Sequence, residues 1–290
     1  MDRTNRLFIF GLGYSAQAFA QRLAGQGWAI AGTRRSGGSA PAIEDCRMFL
    51  FDRGRPLDST GLEALSAANH ILSSVPPDEI GDPVLAHHRA AITKHGGLKW
   101  AGYLSSTGVY GDTGGGWVDE GSPVRPSGPR GVRRSTAEAA WLDLASEGVP
   151  IHIFRLAGIY GPGRNALAQL IAGTARRIDK PGHVFSRIHV DDIARTLQAS
   201  IARPNPGGIY NLCDDRPAAA EEVVRFAASL LKTEPPSLVP FAEADLTPMA
   251  ASFYADNRRV RNARFKRELG VKLTYPDYEA GLRALLDRET

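Results

Sequence analysis

A glycine-rich turn close to the start of the chain constrains the fold more than any other feature of this sequence. In the segment FIFGLGYSAQAFAQRL, the turn lies between a predicted strand over residues 7–10 and a predicted helix over residues 15–26. The first glycine permits a tight turn, the second lets a pyrophosphate approach the backbone, and the small third residue lets helix and strand pack closely. The dinucleotide contacts predicted on this turn are Gly11, Gly13, Tyr14, Ser15 and Ala16. The alternative is a strand–helix turn that binds no ligand.

Short apolar runs alternate with helical patterns through the first half of the chain. The predicted strands are residues 7–10, 28–32, 48–51, 70–75, 102–105 and 152–156. Strands that recur with helices between them form βαβ units and a parallel sheet. After residue 162 helical patterns dominate, and they lie near residues 165–177, 191–202, 218–232 and 276–287.

These patterns predict an α/β fold: a Rossmann-type, doubly wound parallel sheet with a smaller, mainly helical C-terminal substrate cap. The dinucleotide-binding domain is predicted over residues 1–163, with residues 186–212 returning to it. The cap is predicted over residues 164–185 and 213–290.

The end of the second strand bears on which dinucleotide is bound. The segment AIAGTRRSGG has no Asp or Glu to receive ribose hydroxyls, and it offers Thr33, Arg34 and Arg35 instead. Arginines at this position can hold a 2′-phosphate by charge-assisted hydrogen bonds, whereas a carboxylate would repel it. We therefore favour NADP over NAD as the cofactor. The alternative is two exposed loop arginines with no ligand.

Composition argues against several other classes of protein. The net charge of +4 is small, and the densest basic clusters, Arg133–Arg134 and residues 258–267, include no aromatic ladder for single-stranded nucleic acid. The two cysteines form neither a disulfide framework nor a metal cluster. No signal-peptide pattern is present, and no apolar span approaches the roughly 20 residues that cross a membrane. We expect a cytoplasmic protein that binds no nucleic acid, membrane or metal.

Five further segments follow the glycine turn in a fixed order: YLSSTGVYG at 103–111, EGSPVRP at 120–126, RLAGIYGPG at 155–163, HVDD at 189–192 and VRNARFKRELG at 260–270. Together they resemble the extended and atypical short-chain dehydrogenase/reductase proteins, the nucleoside-diphosphate-sugar epimerase and dehydratase group. The resemblance implies that Ser106, with Thr107 next to it, binds the substrate oxygen. Ser74, Val75 and Ser105 complete the predicted cofactor-binding set.

The catalytic Tyr-x-x-x-Lys pair of that family is missing. The family places it on a helix that follows a proline-rich loop, with a glutamate one turn after the lysine. Counting forward from Pro126 puts Arg130 at the tyrosine position, and counting back from Glu138 puts Arg134 at the lysine position. None of the eight tyrosines in the chain has a lysine four residues later. The sequence thus keeps the register of the family and lacks its usual chemistry.

Arginine cannot do the work of the catalytic tyrosine, because it stays protonated and is a poor proton donor or acceptor at neutral pH. Arg134 could still donate to the nicotinamide ribose, and Arg130 could polarise a carbonyl of the substrate or hold its carboxylate or phosphate. A general excess of arginine over lysine is the alternative explanation at position 134. A capping box from Ser135 to Glu138 would put both arginines in a loop, and Pro129 suits an earlier helix start, which we favour.

The leading hypothesis is an NADP-dependent oxidoreductase that acts on a small polar substrate, anionic if Arg130 binds it, in a cleft between sheet and cap. The predicted catalytic set is Ser106, Thr107, Arg130 and Arg134. The alternative is a non-catalytic NADP(H)-binding module, either a redox sensor or a partner-binding protein. Candidate replacements for the missing acid are Tyr110, Asp119, Glu120, Tyr160 and His189. Candidate substrate contacts are Arg187 and Asn211.

A homodimer is also predicted, through the helices near residues 84–95 and 133–146. In the second helix an apolar stripe is formed by Ala137, Ala140, Trp141 and Leu144. The stripe could pack on a partner or could only cover the sheet of its own subunit.

Overall fold

The computed structural model describes residues 5–36 and 43–289. The chain forms two compact units. The first comprises Met1–Ser106, Val132–Arg155 and Ile193–Tyr210, and the second comprises Thr107–Gly131, Leu156–Asp192 and Asn211–Thr290. The predicted cofactor domain and cap were defined by the ligand that each would bind, and not by compactness. That division stays a prediction.

The strands of the described residues are β1 Arg6–Phe10, β2 Ala29–Arg34, β3 Arg47–Leu50, β4 His70–Ser73, β5 Trp100–Ser106, β6 Trp117–Val118, β7 Ile151–Leu156, β8 Gly158–Tyr160, β9 Arg177–Asp179, β10 Arg187–His189, β11 Ile209–Leu212, β12 Leu238–Pro240 and β13 Arg259–Val260. The helices are α1 Tyr14–Ala24, α2 Ser59–Ala67, α3 Pro83–Thr93, α4 Pro129–Leu142, α5 Ala166–Ile171, α6 Val190–Ala202, α7 Ala220–Leu231, α8 Pro248–Tyr254, α9 Ala263–Leu269 and α10 Tyr278–Glu289.

Seven strands form the main sheet, in the order β11-β7-β5-β4-β1-β2-β3. The strand pairs from β5 to β3 run parallel. The chain winds from β1 outward to β3 and then returns to place β4 on the other side of β1, which is the doubly wound pattern. The predicted fold class is confirmed. All six predicted strands are present, and β11, which the sequence pattern missed, forms the seventh.

The core of the first unit lies between the sheet and its covering helices. Phe8 and Phe10 of β1 pack with Tyr103 of β5 and with residues of α2, α3 and α4. Ala137, Trp141 and Leu144, the apolar stripe of α4 and the turn after it, belong to this same cluster. The stripe therefore covers the sheet of its own chain, the second of the two alternatives. The homodimer stays a prediction, which light scattering at micromolar concentration tests.

The start of α4 follows the earlier of the two predicted positions. The helix begins at Pro129, so Arg130 and Arg134 are both helical. The hydroxyl of Ser135 donates to the backbone oxygen of Val132, and Ser135 caps nothing. The capping-box interpretation is wrong, because a proline in the first turn supplies a helical φ at a position whose N–H needs no partner.

The second unit combines short helices with three two-stranded parallel pairs, β10–β8, β12–β9 and β13–β6. Its larger core cluster joins β8, α5, α7 and α10 around Tyr160, Leu167 and Tyr278. The four helical regions predicted after residue 162 are present as α5, α6, α7 and α10. The short helices α8 and α9 were not predicted, since each has only 7 residues and too few for a clear periodicity.

Candidate functional site

The glycine turn after β1 has the geometry that its sequence predicted. Gly11 has a φ of +80°, and a Cβ there would lie 3.1 Å from the Cγ2 of Val75 and 3.2 Å from its backbone nitrogen. A Cβ on Gly13 would meet no atom within 4 Å. A side chain at position 11 would not fit against Val75, so the turn requires glycine there. At position 13 the lack of a side chain leaves open space beside the backbone.

The N-terminus of α1 follows this turn and is open. Its N-cap residue, Gly13, has no side chain to bond the first-turn N–H groups, and the first turn carries no acidic residue. Ala16 is fully buried, Ser15 is nearly so, and Tyr14 is half-buried. An uncapped helix N-terminus with its positive dipole end beside open backbone fits the pyrophosphate of a dinucleotide.

The end of β2 supplies both the support of the turn and a positive charge. The hydroxyl oxygen of Thr33 accepts a hydrogen bond from the N–H of Gly11 at 2.8 Å, and its backbone oxygen accepts one from Leu12 at 2.8 Å. Thr33 is 1% exposed, so it shapes the turn. Arg34 is half-buried and Arg35 is exposed. They are the charged side chains that follow Thr33.

Ser74 and Val75 follow β4 and lie beside the turn. The N–H of Ser74 donates to the backbone oxygen of Phe10 at 2.8 Å, and Val75 is the residue that a Cβ on Gly11 would strike. Sequence reasoning missed the preceding residue, Ser73. Its buried hydroxyl has no hydrogen-bond partner within the described residues. An apolar strand pattern gives no signal for such a group.

The end of β5 carries a buried ion pair. The hydroxyl of Ser105 donates to Oε2 of Glu138 at 2.6 Å, and the guanidinium of Arg155 in β7 donates to the same carboxylate from Nε and from Nη2, the latter at 2.5 Å. Ser105, Glu138 and Arg155 are each less than 5% exposed. The predicted cofactor residue Ser105 thus uses its proton inside the protein. Ser106, the next residue, is half-buried.

Arg134, at the family's lysine position, is held by the end of β5. Its Nη1 donates to the phenol oxygen of Tyr103 at 3.0 Å and to the backbone oxygen of Leu104 at 2.9 Å. The guanidinium carbon lies 5.7 Å from the centre of the Tyr103 ring. Burial raises the pKa of Tyr103, although the nearby charge of Arg134 acts against this. Tyr103 is therefore a neutral hydrogen-bond acceptor for Arg134.

Arg130, at the family's tyrosine position, lies in the second unit. Its guanidinium carbon is 4.9 Å from the ring centre of Phe253 in α8, in a cation–π contact. Thr107 belongs to the same unit and is 6% exposed at the start of the short 3-10 helix Thr107–Tyr110. The exposed position of Arg130 lets its guanidinium nitrogens reach solvent or a ligand.

The candidates for the missing acid are mostly engaged within the second unit. Tyr110 donates its phenol hydrogen to Oδ1 of Asn211 at 2.7 Å, and Glu120 accepts the N–H of Asn211 at 2.8 Å. Burial raises the pKa of Tyr160 and lowers that of His189 to about 4. Burial also raises the pKa of Glu120.

Two other polar residues of the second unit support backbone. Asp192 accepts the N–H groups of Thr274 and Tyr275, each at 2.9 Å, so the HVDD segment anchors the chain before α10. Arg187 donates from Nη1 to the backbone oxygens of Phe185 and Ala218, each at 2.9 Å.

Two further observations concern metals and membranes. Within residues 5–36 and 43–289, no three His, Cys, Asp or Glu side chains are grouped so that they could share a metal ion. Over the same residues, no helix combines the length and apolar character needed to cross a membrane.

The parallel sheet and the open glycine turn define a Rossmann-type nucleotide-binding fold of the epimerase kind. The sequence model of the NAD dependent epimerase/dehydratase family matches residues 89–213 of this chain. The chain is similar to a conserved protein of unknown function from Silicibacter pomeroyi, with 48% identity, coverage of 99% of this chain and 100% of that one, and a TM-score of 0.89.

Two other similarities extend over nearly the whole chain. Protein YeeZ of Escherichia coli K12 is 27% identical over 94% of this chain and 97% of its own. The dTDP-glucose 4,6-dehydratase of Bacillus anthracis, solved in complex with NAD, has a TM-score of 0.79 at 17% identity and covers 98% of this chain and 96% of its own. At that identity the likeness to the dehydratase shows the fold alone.

Proposed function

We propose that this protein binds NADP and transfers hydride to or from a small polar, anionic substrate, through a site that lacks the Tyr-x-x-x-Lys pair. The observation that carries the proposal is the open glycine turn: Gly13 leaves free space, α1 is uncapped, and Arg34 and Arg35 stand at the end of β2, where the sequence has no Asp or Glu. A structural neighbour was solved in complex with NAD. This supports a nicotinamide dinucleotide as the class of cofactor.

The choice of NADP rests on charge. A 2′-phosphate carries up to two negative charges, and it binds best to guanidinium groups that need not compete with a nearby carboxylate. Arg34 is half-buried at the end of β2, so its side chain is partly ordered before the ligand arrives. A charge-assisted hydrogen bond contributes roughly 1.5–3 kcal/mol, which corresponds to about tenfold or more in affinity.

None of the four predicted catalytic residues is a tyrosine that could transfer a proton. Their role would therefore be to bind and orient the cofactor and the substrate. When bound, the nicotinamide would supply the hydride chemistry. Arg134 has Nε and Nη2 available for the ribose hydroxyls, Ser106 and Thr107 would hold the reacting oxygen, and Arg130 would bind the anionic group of the substrate. Neither arginine can pass a proton at neutral pH, so the proton must come from another group.

The test is NADPH consumption over a panel of carbonyl compounds and sugar nucleotides, measured by loss of nicotinamide absorbance. We expect turnover with at least one anionic carbonyl compound. Turnover should fall at least tenfold in Arg130→Ala, because a negative group loses its partner in a partly desolvated site. No oxidation of NADPH by any member of the panel would contradict the enzyme proposal.

A second candidate is a non-catalytic NADP(H)-binding module. The observation that favours it is that both family positions are already engaged within the protein, Arg130 with Phe253 and Arg134 with Tyr103 and Leu104. Tight NADP binding together with no turnover on the panel would select this candidate. Weak binding of both NADP and NAD would contradict the enzyme candidate and the binding-module candidate alike.

A further inference from the structure

The guanidinium of Arg134 is only partly engaged in hydrogen bonds with the protein. A single nitrogen, Nη1, makes both of its hydrogen bonds, to the Tyr103 phenol and to the Leu104 backbone oxygen. Arg134 is half-buried, and its Nε and Nη2 have no hydrogen-bond partner among the described residues. One edge of the guanidinium is thus fixed to β5, and the rest is available.

The partner of Arg134 is itself held in place. The Tyr103 ring stacks on the Trp141 ring, with centres 5.5 Å apart and planes at 19°. The indole N–H of Trp141 donates to Oδ2 of Asp82 at 2.9 Å. The other carboxylate oxygen of Asp82 accepts two N–H groups at the start of α3. Tyr103, Trp141 and Asp82 are all buried.

These contacts form a connected support that runs from α3 through α4 to β5. Asp82 caps α3, Trp141 belongs to α4, and Tyr103 belongs to β5. Asp82 and Arg134 also attract each other electrostatically. A buried phenol whose ring stacks on Trp141 has little freedom, so the position of its oxygen is well defined.

We propose that Tyr103 is a positioning residue for Arg134: its phenol oxygen, with the Leu104 carbonyl, fixes Nη1 so that Nε and Nη2 are presented to the nicotinamide-side ribose. The inference rests on the proposed function, because it assumes that a dinucleotide binds beside Arg134. It also gives a reason for arginine at this position. The planar guanidinium can bond the protein from one nitrogen and a ligand from two others in a fixed geometry, which a lysine ammonium cannot do.

Loss of the phenol oxygen should act on affinity and leave the fold in place. In Tyr103→Phe the ring can still stack on Trp141, and Leu104 can still accept from Nη1. Arg134 would gain rotamer freedom that must be lost again on binding. We expect the dissociation constant for NADP to rise about three- to tenfold, with the melting temperature changed by only a few degrees.

A double-mutant cycle distinguishes positioning from a general structural effect. NADP dissociation constants are measured by calorimetry for the wild type, Tyr103→Phe, Arg134→Ala and the double variant. If Tyr103 acts through Arg134, Tyr103→Phe should have almost no effect once Arg134 is alanine. The matched control is Tyr210→Phe, which removes another buried phenol that accepts a hydrogen bond, from Asn205 at 3.1 Å on the edge strand β11. It should bind NADP as the wild type does.

A third variant keeps the test valid if Tyr103→Phe fails to fold. Arg134→Lys retains the charge and leaves the Tyr103–Trp141 stacking in place, and we expect it to bind NADP at least threefold more weakly than the wild type. Equal affinity of Arg134→Lys and the wild type would overturn the inference, as would the same loss from Tyr103→Phe in both backgrounds. A wild-type protein that binds NADP while Tyr103→Phe binds it equally well would overturn only the inference. A wild type that binds no dinucleotide would overturn the proposed function with it.

Discussion

The hydroxyl oxygen of Thr33 accepts the backbone N–H of Gly11 at 2.8 Å. This bond joins the end of β2 to the turn that follows β1, and the Thr33 backbone oxygen adds a second bond from Leu12. The turn is therefore built before any ligand is present. A preformed turn loses little conformational entropy on binding, so its two glycines should have separable effects.

Gly13→Ala should weaken dinucleotide binding and leave the protein folded. The φ of Gly13 is −90°, which alanine adopts, and its Cβ would meet no protein atom within 4 Å. The methyl group would instead occupy the space of the pyrophosphate. We expect at least a tenfold loss of NADP affinity by calorimetry, with the free energy of unfolding changed by less than about 1 kcal/mol.

Gly11→Ala is the contrasting change. Its φ of +80° is unfavourable for alanine, and the new Cβ would press on Val75. We expect a loss of stability of about 1–3 kcal/mol in urea unfolding, whether or not NADP is present. A stable Gly11→Ala protein would contradict the strain expected at this position, and a Gly13→Ala protein with full affinity would show that the turn does not bind the pyrophosphate.

NADP should bind more tightly than NAD, by about tenfold or more. Arg34→Ala should bring the two affinities closer together by lowering the affinity for NADP alone. NAD has no 2′-phosphate, so it loses no contact when Arg34 is removed. Calorimetric titrations of both cofactors measure the ratio. Arg203→Ala, an exposed arginine after α6, is the matched control for the loss of one positive charge. Equal affinities in the wild type would refute the assignment.

Glu138→Gln should destabilise the fold strongly. It would leave the Arg155 guanidinium, which is 3% exposed, without its carboxylate partner. Removing one member of a buried ion pair costs about 3–5 kcal/mol, so urea unfolding at neutral pH should show a loss of this size. The control is Glu79→Gln, whose pair with Arg133 is on the surface and should contribute no more than about 1 kcal/mol. Similar losses in both variants would contradict the prediction.

His152 should make stability fall between pH 7 and pH 5. Its Nε2 accepts the N–H of Asn205 at 2.8 Å and its Nδ1 faces the Ala101 carbonyl at 3.2 Å, so the neutral ring fits both neighbours. Burial lowers the pKa of His152 from 6.5 to about 4. As pH falls, His152 is therefore protonated in the unfolded chain before it is protonated in the folded protein. The contribution of the neutral His152 to stability is complete above the pKa of 6.5 in the unfolded chain, and it is lost as pH falls towards the pKa of about 4 in the folded protein.

The expected size follows from the two pKa values. At pH 5 the difference amounts to about 2 kcal/mol of unfolding free energy from His152. In His152→Gln, the drop in unfolding free energy from pH 7 to pH 5 should be smaller by about this amount, as measured by urea unfolding at each pH. An unchanged drop would mean that the folded protein accepts the proton on His152 without cost.

The spacing of motifs was sufficient for the register of α4. The count from Pro126 and the count back from Glu138 agreed on Arg130 and Arg134, and the structure places both on one helix that begins at Pro129. The count could not show what their side chains contact. The partners are Phe253 for Arg130 and Tyr103 for Arg134, and they lie 123 and 31 positions away along the chain.

The same limit applies to Thr33 and Ser105. Both were predicted as cofactor residues, and both use their hydroxyls inside the protein, with Gly11 and Glu138. β11 was missed for a related reason. Its position at the edge of the sheet is set by pairing with β7, which a short run of residues 209–212 does not reveal.

The sequence by itself determined the parallel sheet, the glycine turn, the absence of the Tyr-x-x-x-Lys pair and the two arginines in its place. These follow from local patterns: the periodicity of apolar residues, the backbone freedom of glycine and the spacing within one helix. Only the tertiary structure decided that Arg134 is held by Tyr103 and Leu104 and that Ser105 belongs to a buried ion pair with Glu138 and Arg155. The physical reason is that hydrogen bonds of side chains depend on which distant backbones the sheet brings within about 3 Å, and no local pattern encodes that distance.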